Sequence, residues 1–305
     1  MILGHLAIFV TIILWSGFFI SLKGGANSEL TSADIALARF LLPTILLLPV
    51  VINARHQIKK VPIKYLIGIF IGSGLPYLLV ASHAMQYAPV AHASALIPGT
   101  LPLFVTGIAI TCYKQPSGLH RRVGLILISF GIVLFLFNSL ATSNNSLFTG
   151  QLMFLGASFM WALFTISARV AGLPPLVCAG LVACISTLCL FAAIASQLLN
   201  SSLISSNIVH WPWQEVIGHI LLQGIGAGLL ASFTYLYAIK QLGAERCAAF
   251  AASTPIVAAL LAFAVFSEKL DVVTTLALLA VCLGSIVAST ILEKKQPSNR
   301  LSVSN

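Results

Sequence analysis

Along almost the whole chain, apolar runs of about twenty residues alternate with short polar breaks built from charged residues, Gly, Pro and Ser. A helix of ~20 apolar residues spans the ~30 Å hydrocarbon core of a bilayer and satisfies its own backbone groups there. The pattern predicts ten such helices, at roughly 4–22, 33–52, 64–87, 90–112, 122–140, 150–169, 175–199, 216–240, 245–266 and 271–292. The strict apolar/polar alternation of a transmembrane barrel does not run through these segments. The expected fold class is therefore an all-α polytopic membrane protein. No small-residue cleavage site follows the first run, so it is expected to remain as a helix rather than to be removed as a signal peptide. The tail 294–305 is polar and is expected to be loose.

The pattern also repeats. "LWSGFFISLK" (14–23) aligns with "MWALFTISAR" (160–169), pairing Trp15 with Trp161, Phe18 with Phe164, Ser21 with Ser167 and Lys23 with Arg169. "PLFVTGIAITCYKQPS" from Pro102 aligns with "PIVAALLAFAVFSEKL" from Pro255, with Gln115 standing where Glu268 falls. Each half then holds five spans, 1–145 and 146–293. Because five is odd, the second half enters the membrane from the opposite side, an inverted repeat.

Composition agrees with lipid as the solvent: 59% of the 305 residues are hydrophobic and 8% are charged, with a mean hydropathy of +1.02. With both termini inside a bacterial inner membrane, all but three of the sixteen Lys and Arg fall on the cytoplasmic side. Lys23 and Lys269 lie outside, and Arg39 sits just within the second span. The net charge of +9 thus belongs to loops at the inner surface, and its spread over separate loops without a stacking module does not fit nucleic-acid binding. The six cysteines lie in or at the ends of apolar runs without metal-ligand spacing, and they are expected to act as small buried hydrophobes. No cofactor is expected.

Several residues resemble a known family when taken together: Trp15 with Lys23, "ARF" in the second span (Arg39, Phe40), "MWALFTISAR" opening the second half, and "STPIVAALLAFAVFSEKL" in the ninth. In order and spacing the chain resembles the EamA-type family of the drug/metabolite transporter superfamily over essentially its whole length. The resemblance implies a ten-helix secondary transporter built from two inverted five-helix halves. It departs from that pattern at Gln115, where many relatives carry Glu, and in lacking a second-half counterpart to Arg39.

The function expected on these grounds is secondary-active export of small metabolites, such as amino acids or related amphipathic compounds, by alternating access. A non-transporting scaffold and an intramembrane enzyme are the alternatives. For the enzyme, Ser73 and His83 would lie ~15 Å apart along one helix, too far for a nucleophile to meet its base. Expected partners are a small-molecule substrate, the lipid bilayer and, as one compatible assembly, a second copy in a homodimer.

Ionisable groups within hydrocarbon are costly and ask for a reason. Arg39 and Lys23 are candidates to hold a substrate carboxylate or phosphate; alternatively Arg39 snorkels or pairs with Asp34 or Glu29. His83 or His92 would titrate near neutrality if protons are coupled, or each is a neutral histidine bonded to a neighbouring helix. Gly72, Pro76, Leu79 and His83 share one helix face, as do Gly224, Gly228, Ala231 and Tyr235, and such faces line a cavity or pack. Trp15, Phe19, Tyr77, Trp161 and Tyr237 are candidate aromatic walls, with a core or interface-belt role as the alternative. Trp211 and Trp213 read as belt residues.

Overall fold

The computed structural model describes residues 2–114 and 117–289, apart from the side chains of residues 244, 245, 248 and 249. Eight helices among these residues are long and apolar enough to cross a membrane. They are α1 (Ile2–Ala26), α2 (Ser32–Asn53), α3 (Ile63–Ala84), α4 (Val90–Tyr113), α5 (Leu119–Ala141), α6 (Asn145–Ala171), α7 (Pro175–Ala195) and α8 (Trp213–Leu242). Two shorter apolar helices follow, α9 (Thr254–Phe266) and α10 (Val272–Ala288). No strand occurs among the described residues. The expected ninth run divides into a short helix, Ala244–Ala251, and α9. Gln115, the expected end of the tenth run and the tail 294–305 lie outside the described residues.

The helices start and stop where local chemistry directs. Thr31 caps α2 in a reciprocal box, accepting the Asp34 N–H at 3.3 Å while Asp34 accepts the Thr31 N–H at 2.9 Å. Asn144 and Asp271 cap α6 and α10 by accepting N–H bonds from Leu147 and Thr274. The packing is inverted relative to a water-soluble protein. Ser16, Gln151, Ser158 and Gln223 are buried, whereas Leu188 is 72% exposed and Leu260 64% exposed, as a lipid-facing surface allows.

Neighbouring helices meet through small residues. α3 lies antiparallel on α6, with Gly72 against the Met160 carbonyl and Phe164. α5 and α10 pack most extensively, with Gly124 and Gly284 in mutual backbone contact. These contacts sort the connections to two ends of the bundle. One end carries Lys23, Met85, Val90, Asn138 and Glu268. The other carries the start of α1 against Gln241 and Leu242, and the α6–α7 connection.

Helices α3 and α4 break along their length, α8 widens, and a turn precedes α9. α3 breaks at Gly74, which is extended (φ −92°, ψ −154°), and the freed Leu75 N–H donates to the buried Ser186 hydroxyl at 3.0 Å. α4 breaks over 97–100, where Pro98 and Gly99 precede Thr100. Thr100 Oγ1 donates to the Leu96 carbonyl at 2.6 Å and lies 2.9 Å from the Ser158 hydroxyl. α8 widens into π-helical turns over Ile220–Leu230, and a turn at 252–253 precedes α9. Helices broken at membrane depth persist where the freed backbone is buried in protein or faces a cavity.

Candidate functional site

The interruptions surround a cavity of about 430 Å³ lined by residues of α1–α4 and α6–α9. Its aromatic walls are Trp15, Phe18, Phe19, Tyr77, Trp161 and Phe164; Pro98 and Gly228 come from the irregular stretches of α4 and α8, and Thr254 from the start of α9. From there it extends past Ala168 and Cys178 to Leu173 and Pro175, in and beside the α6–α7 connection. The repeat-related pairs Trp15/Trp161 and Phe18/Phe164 therefore face the same space. The Trp15 and Trp161 rings stand edge-to-face with centroids 6.5 Å apart, and Tyr77 lies 6.3 Å from Trp161. Tyr235 packs against Trp15 at 5.1 Å without lining the cavity.

Arg39 is the one charged residue among the described lining. Its Nη1 donates to Gln223 Oε1 at 2.9 Å, and Gln223 Nε2 donates in turn to the Phe18 carbonyl at 3.3 Å, which fixes the amide's orientation. The guanidinium carbon lies 4.8 Å from the Phe18 ring centre and 5.6 Å from that of Phe40. Nε is buried and has no hydrogen-bond partner. Neither Asp34 nor Glu29 pairs with Arg39. Asp34 instead binds the α7–α8 connection, accepting from the Ser201 hydroxyl at 2.6 Å and the Ser202 and Leu203 N–H groups at 3.1 and 3.2 Å. A charge at this depth costs ~3 kcal/mol or more on insertion scales, and one neutral hydrogen bond with two ring faces offsets only part of that.

Lys23 stands outside the cavity lining. It lies eight residues beyond Trp15, about 12 Å along α1 at 1.5 Å per residue. There it donates to the Met85 and Ala88 carbonyls at 3.3 and 3.4 Å and meets Glu268 at 3.9 Å. Glu268 Oε2 accepts the Val90 N–H at 2.9 Å, while Oε1 is buried without a hydrogen bond. Burial pushes the Glu268 carboxyl above the ordinary carboxylate range, outweighing the opposing pull of the Val90 N–H and Lys23. Further bonds join helices at the same end, Ser21 to His219 at 2.6 Å and Ser32 to Ser82 at 3.1 Å. The cavity is thus shut off at this end and extends toward the other.

The remaining candidates lie elsewhere. His83 is exposed, with Nε2 3.3 Å from the Tyr87 hydroxyl, and Tyr237 is 42% exposed; neither lines the cavity. His92 is buried, 3.0 Å from Gln151 Nε2 and 3.5 Å from the Thr274 hydroxyl. The Trp211 and Trp213 rings meet at a tilt with centroids 5.1 Å apart, each donating its indole N–H to a backbone carbonyl in the segment before α8. The cysteines are not uniformly buried: Cys112 is exposed and Cys184 and Cys189 are half-buried, while the buried Cys178 lines the cavity. Sequence reasoning did not select Gln223, Phe18, Phe164 or Cys178. An isolated amide in "ILLQGIGAG" marks Gln223, and the repeat alignment marks the two phenylalanines.

Two stretches of the chain, residues 2–137 and 148–290, each match the model of the EamA-like transporter family. The chain belongs to that family. As an EamA-like protein it is a multi-pass membrane transporter, and the two matches cover most of each half. An uncharacterized transporter of Archaeoglobus fulgidus is 24% identical over 278 residues, covering 89% of this chain and 92% of that one. The uncharacterized transporter YoaV of Bacillus subtilis is 22% identical over 167 residues, covering 54% of this EamA-like chain and 56% of its own. A protein known from its crystal structure superposes with a TM-score of 0.61 over 95% of this chain and 98% of that one, at 17% identity, a likeness of fold alone.

Proposed function

We propose that this EamA-like protein is a secondary-active exporter of small amphipathic metabolites, such as amino acids, working by alternating access in a bacterial inner membrane. In this reading it has ten spans in two inverted five-helix repeats, 1–145 and 146–293, with a cytoplasmic tail and both termini inside. The observation that carries it is a central cavity lined from both halves, shut at the Lys23–Glu268 end and extending to the α6–α7 connection. Arg55, Lys64, Arg169 and Lys240 sit at the ends of helices on the cavity's side of the bundle. Basic loops mark the cytoplasmic face, so the cavity would load from inside, as an exporter requires. The interrupted α3, α4 and α8 and the turn before α9 supply the bending points for rocking one half against the other.

Trp15, Phe19, Tyr77 and Trp161 are assigned to the substrate cavity and Arg39 to its charged contact. Lys23 is assigned to the closure above it. Tyr235 supports Trp15, and His83 and Tyr237 take no direct part. The test places cysteines at positions 23 and 268, in a background without the six native cysteines, and joins them with a short reducible thiol cross-linker. Flux in proteoliposomes should stop on cross-linking and return on reduction. Undiminished flux in the cross-linked protein would overturn alternating access through this end.

A further inference from the structure

We propose that the cavity selects a monoanionic carboxylate with a flat aromatic body, bound by Arg39, over the corresponding amine or dianion. The proposal rests on the cavity being the transport site and narrows its amphipathic substrates to carboxylates, ranking those without an ammonium group ahead of the amino acids. Arg39 makes one hydrogen bond to protein among the described residues, and that acceptor is the neutral Gln223. Its positive charge remains uncompensated, and a buried Nε–H awaits an acceptor. The planar guanidinium fork matches a carboxylate, which supplies both the missing charge and the missing acceptors.

The charge count limits the ligand to one negative charge. Lys23, the cation of α1, lies outside the lining toward the closed end and is engaged there by Glu268 and two carbonyls. A dianion such as a phosphate monoester would bring a second charge with no second cation to meet it. An ammonium fares worse, because no acidic side chain lines the cavity among the described residues and Arg39 repels it. The remainder of the ligand meets Trp15, Trp161, Tyr77 and Phe164. Trp161 stands 6.5 Å from Trp15 and 6.3 Å from Tyr77, centroid to centroid, and these rings with Phe164 form an aromatic wall against which a planar apolar group can pack.

The full chain in lipid nanodiscs can be titrated with 3-phenylpropionate, 3-phenylpropionamide, 3-phenylpropylamine, phenylalanine and phenyl phosphate, reading tryptophan fluorescence. Two of the four tryptophans face the cavity. The acid should bind at least about tenfold tighter than its amide, the worth of one charge-assisted pair. The amine should show no saturable binding, and phenyl phosphate and phenylalanine should both fall below the acid. In Arg39→Gln the acid should bind no better than the amide. Equal or tighter binding of the amine or the dianion, or no binding by the acid, would overturn the proposal. The ligand series on the unmodified protein decides this even if Arg39→Gln does not fold. Flux of the same compounds into proteoliposomes, against protein-free vesicles, separates the two claims. Arg39-dependent binding of the acid without flux of any compound would sink transport and leave the selectivity standing. Protein-dependent flux without preference for the acid would do the reverse.

Discussion

Lys23 Nζ and Glu268 Oε1 face each other at 3.9 Å across the end of the bundle opposite the cavity's extension. The pair joins the end of α1 to the segment between α9 and α10, so it links the first half of the chain to the second. Each partner is also tied to the α3–α4 connection, Lys23 through the Met85 and Ala88 carbonyls and Glu268 through the Val90 N–H. The contact is therefore a three-segment closure whose strength depends on the charge of one carboxyl.

That carboxyl gives a pH dependence of definite sign. Burial raises the Glu268 pKa in the folded protein, against the Val90 N–H and Lys23. A carboxyl raised on folding holds its proton more tightly when folded. Its stabilising contribution is complete below the unfolded glutamate value of ~4.3 and is lost as pH rises through the raised value. Thermal unfolding in detergent, compared between the parent and Glu268→Gln, should show the parent losing stability relative to the variant across that window. The amide in the variant still accepts from Val90 and has no proton to lose. A difference of opposite slope would mean that attraction to Lys23 outweighs the cost of burying the charge.

Ser186 tests what holds the break in α3 open. Its hydroxyl accepts the Leu75 N–H at 3.0 Å, and both groups are buried. Ser186→Ala leaves that N–H without its partner, which costs about 1–3 kcal/mol. Chemical unfolding should register the loss, and Ser186→Thr, which restores a hydroxyl, should recover part of it. An unchanged midpoint in Ser186→Ala would mean that Gly74 is held by other contacts.

The helical class was legible because apolar runs of bilayer length leave few alternatives, and eight of the expected spans appear as helices long and apolar enough to cross a membrane, two of them broken along their length. The breaks at Gly74, at 97–100 and at 252–253 were legible only as Pro and Gly positions. Whether such residues bend, break or merely pack depends on what meets the freed backbone groups, such as Ser186 for the Leu75 N–H and the Thr100 hydroxyl for the Leu96 carbonyl. Of the candidate site residues, Trp15, Phe19, Arg39, Tyr77 and Trp161 line one cavity. Lys23 and His83 differ because helical phase and height decide what a side chain meets. Lys23 lies one turn beyond Phe19 of the cavity lining, beside an acid distant in sequence, and His83 faces outward beside Tyr87. Gln223 was hidden for a related reason: its role comes from the 184-residue separation across which it meets Arg39.

Gly72 tests whether the α3–α6 contact shapes the cavity. A methyl group there would collide with the Met160 carbonyl oxygen and lie 2.6 Å from both the Cβ and the backbone nitrogen of Phe164. Two of these atoms are backbone, so the helices must separate, at about 1–3 kcal/mol for an overpacked site. Phe164 and Trp161 line the cavity on the same helix face, so that separation also displaces its aromatic wall. Gly72→Ala should lower the unfolding midpoint and reduce flux together. Gly107→Ala provides the control: its added methyl meets nothing within 4 Å, and alanine's better helix propensity makes the change neutral to stabilising by up to about 1 kcal/mol. If Gly72→Ala kept both stability and flux at the level of Gly107→Ala, close approach of α3 and α6 would not be what sets the cavity's shape.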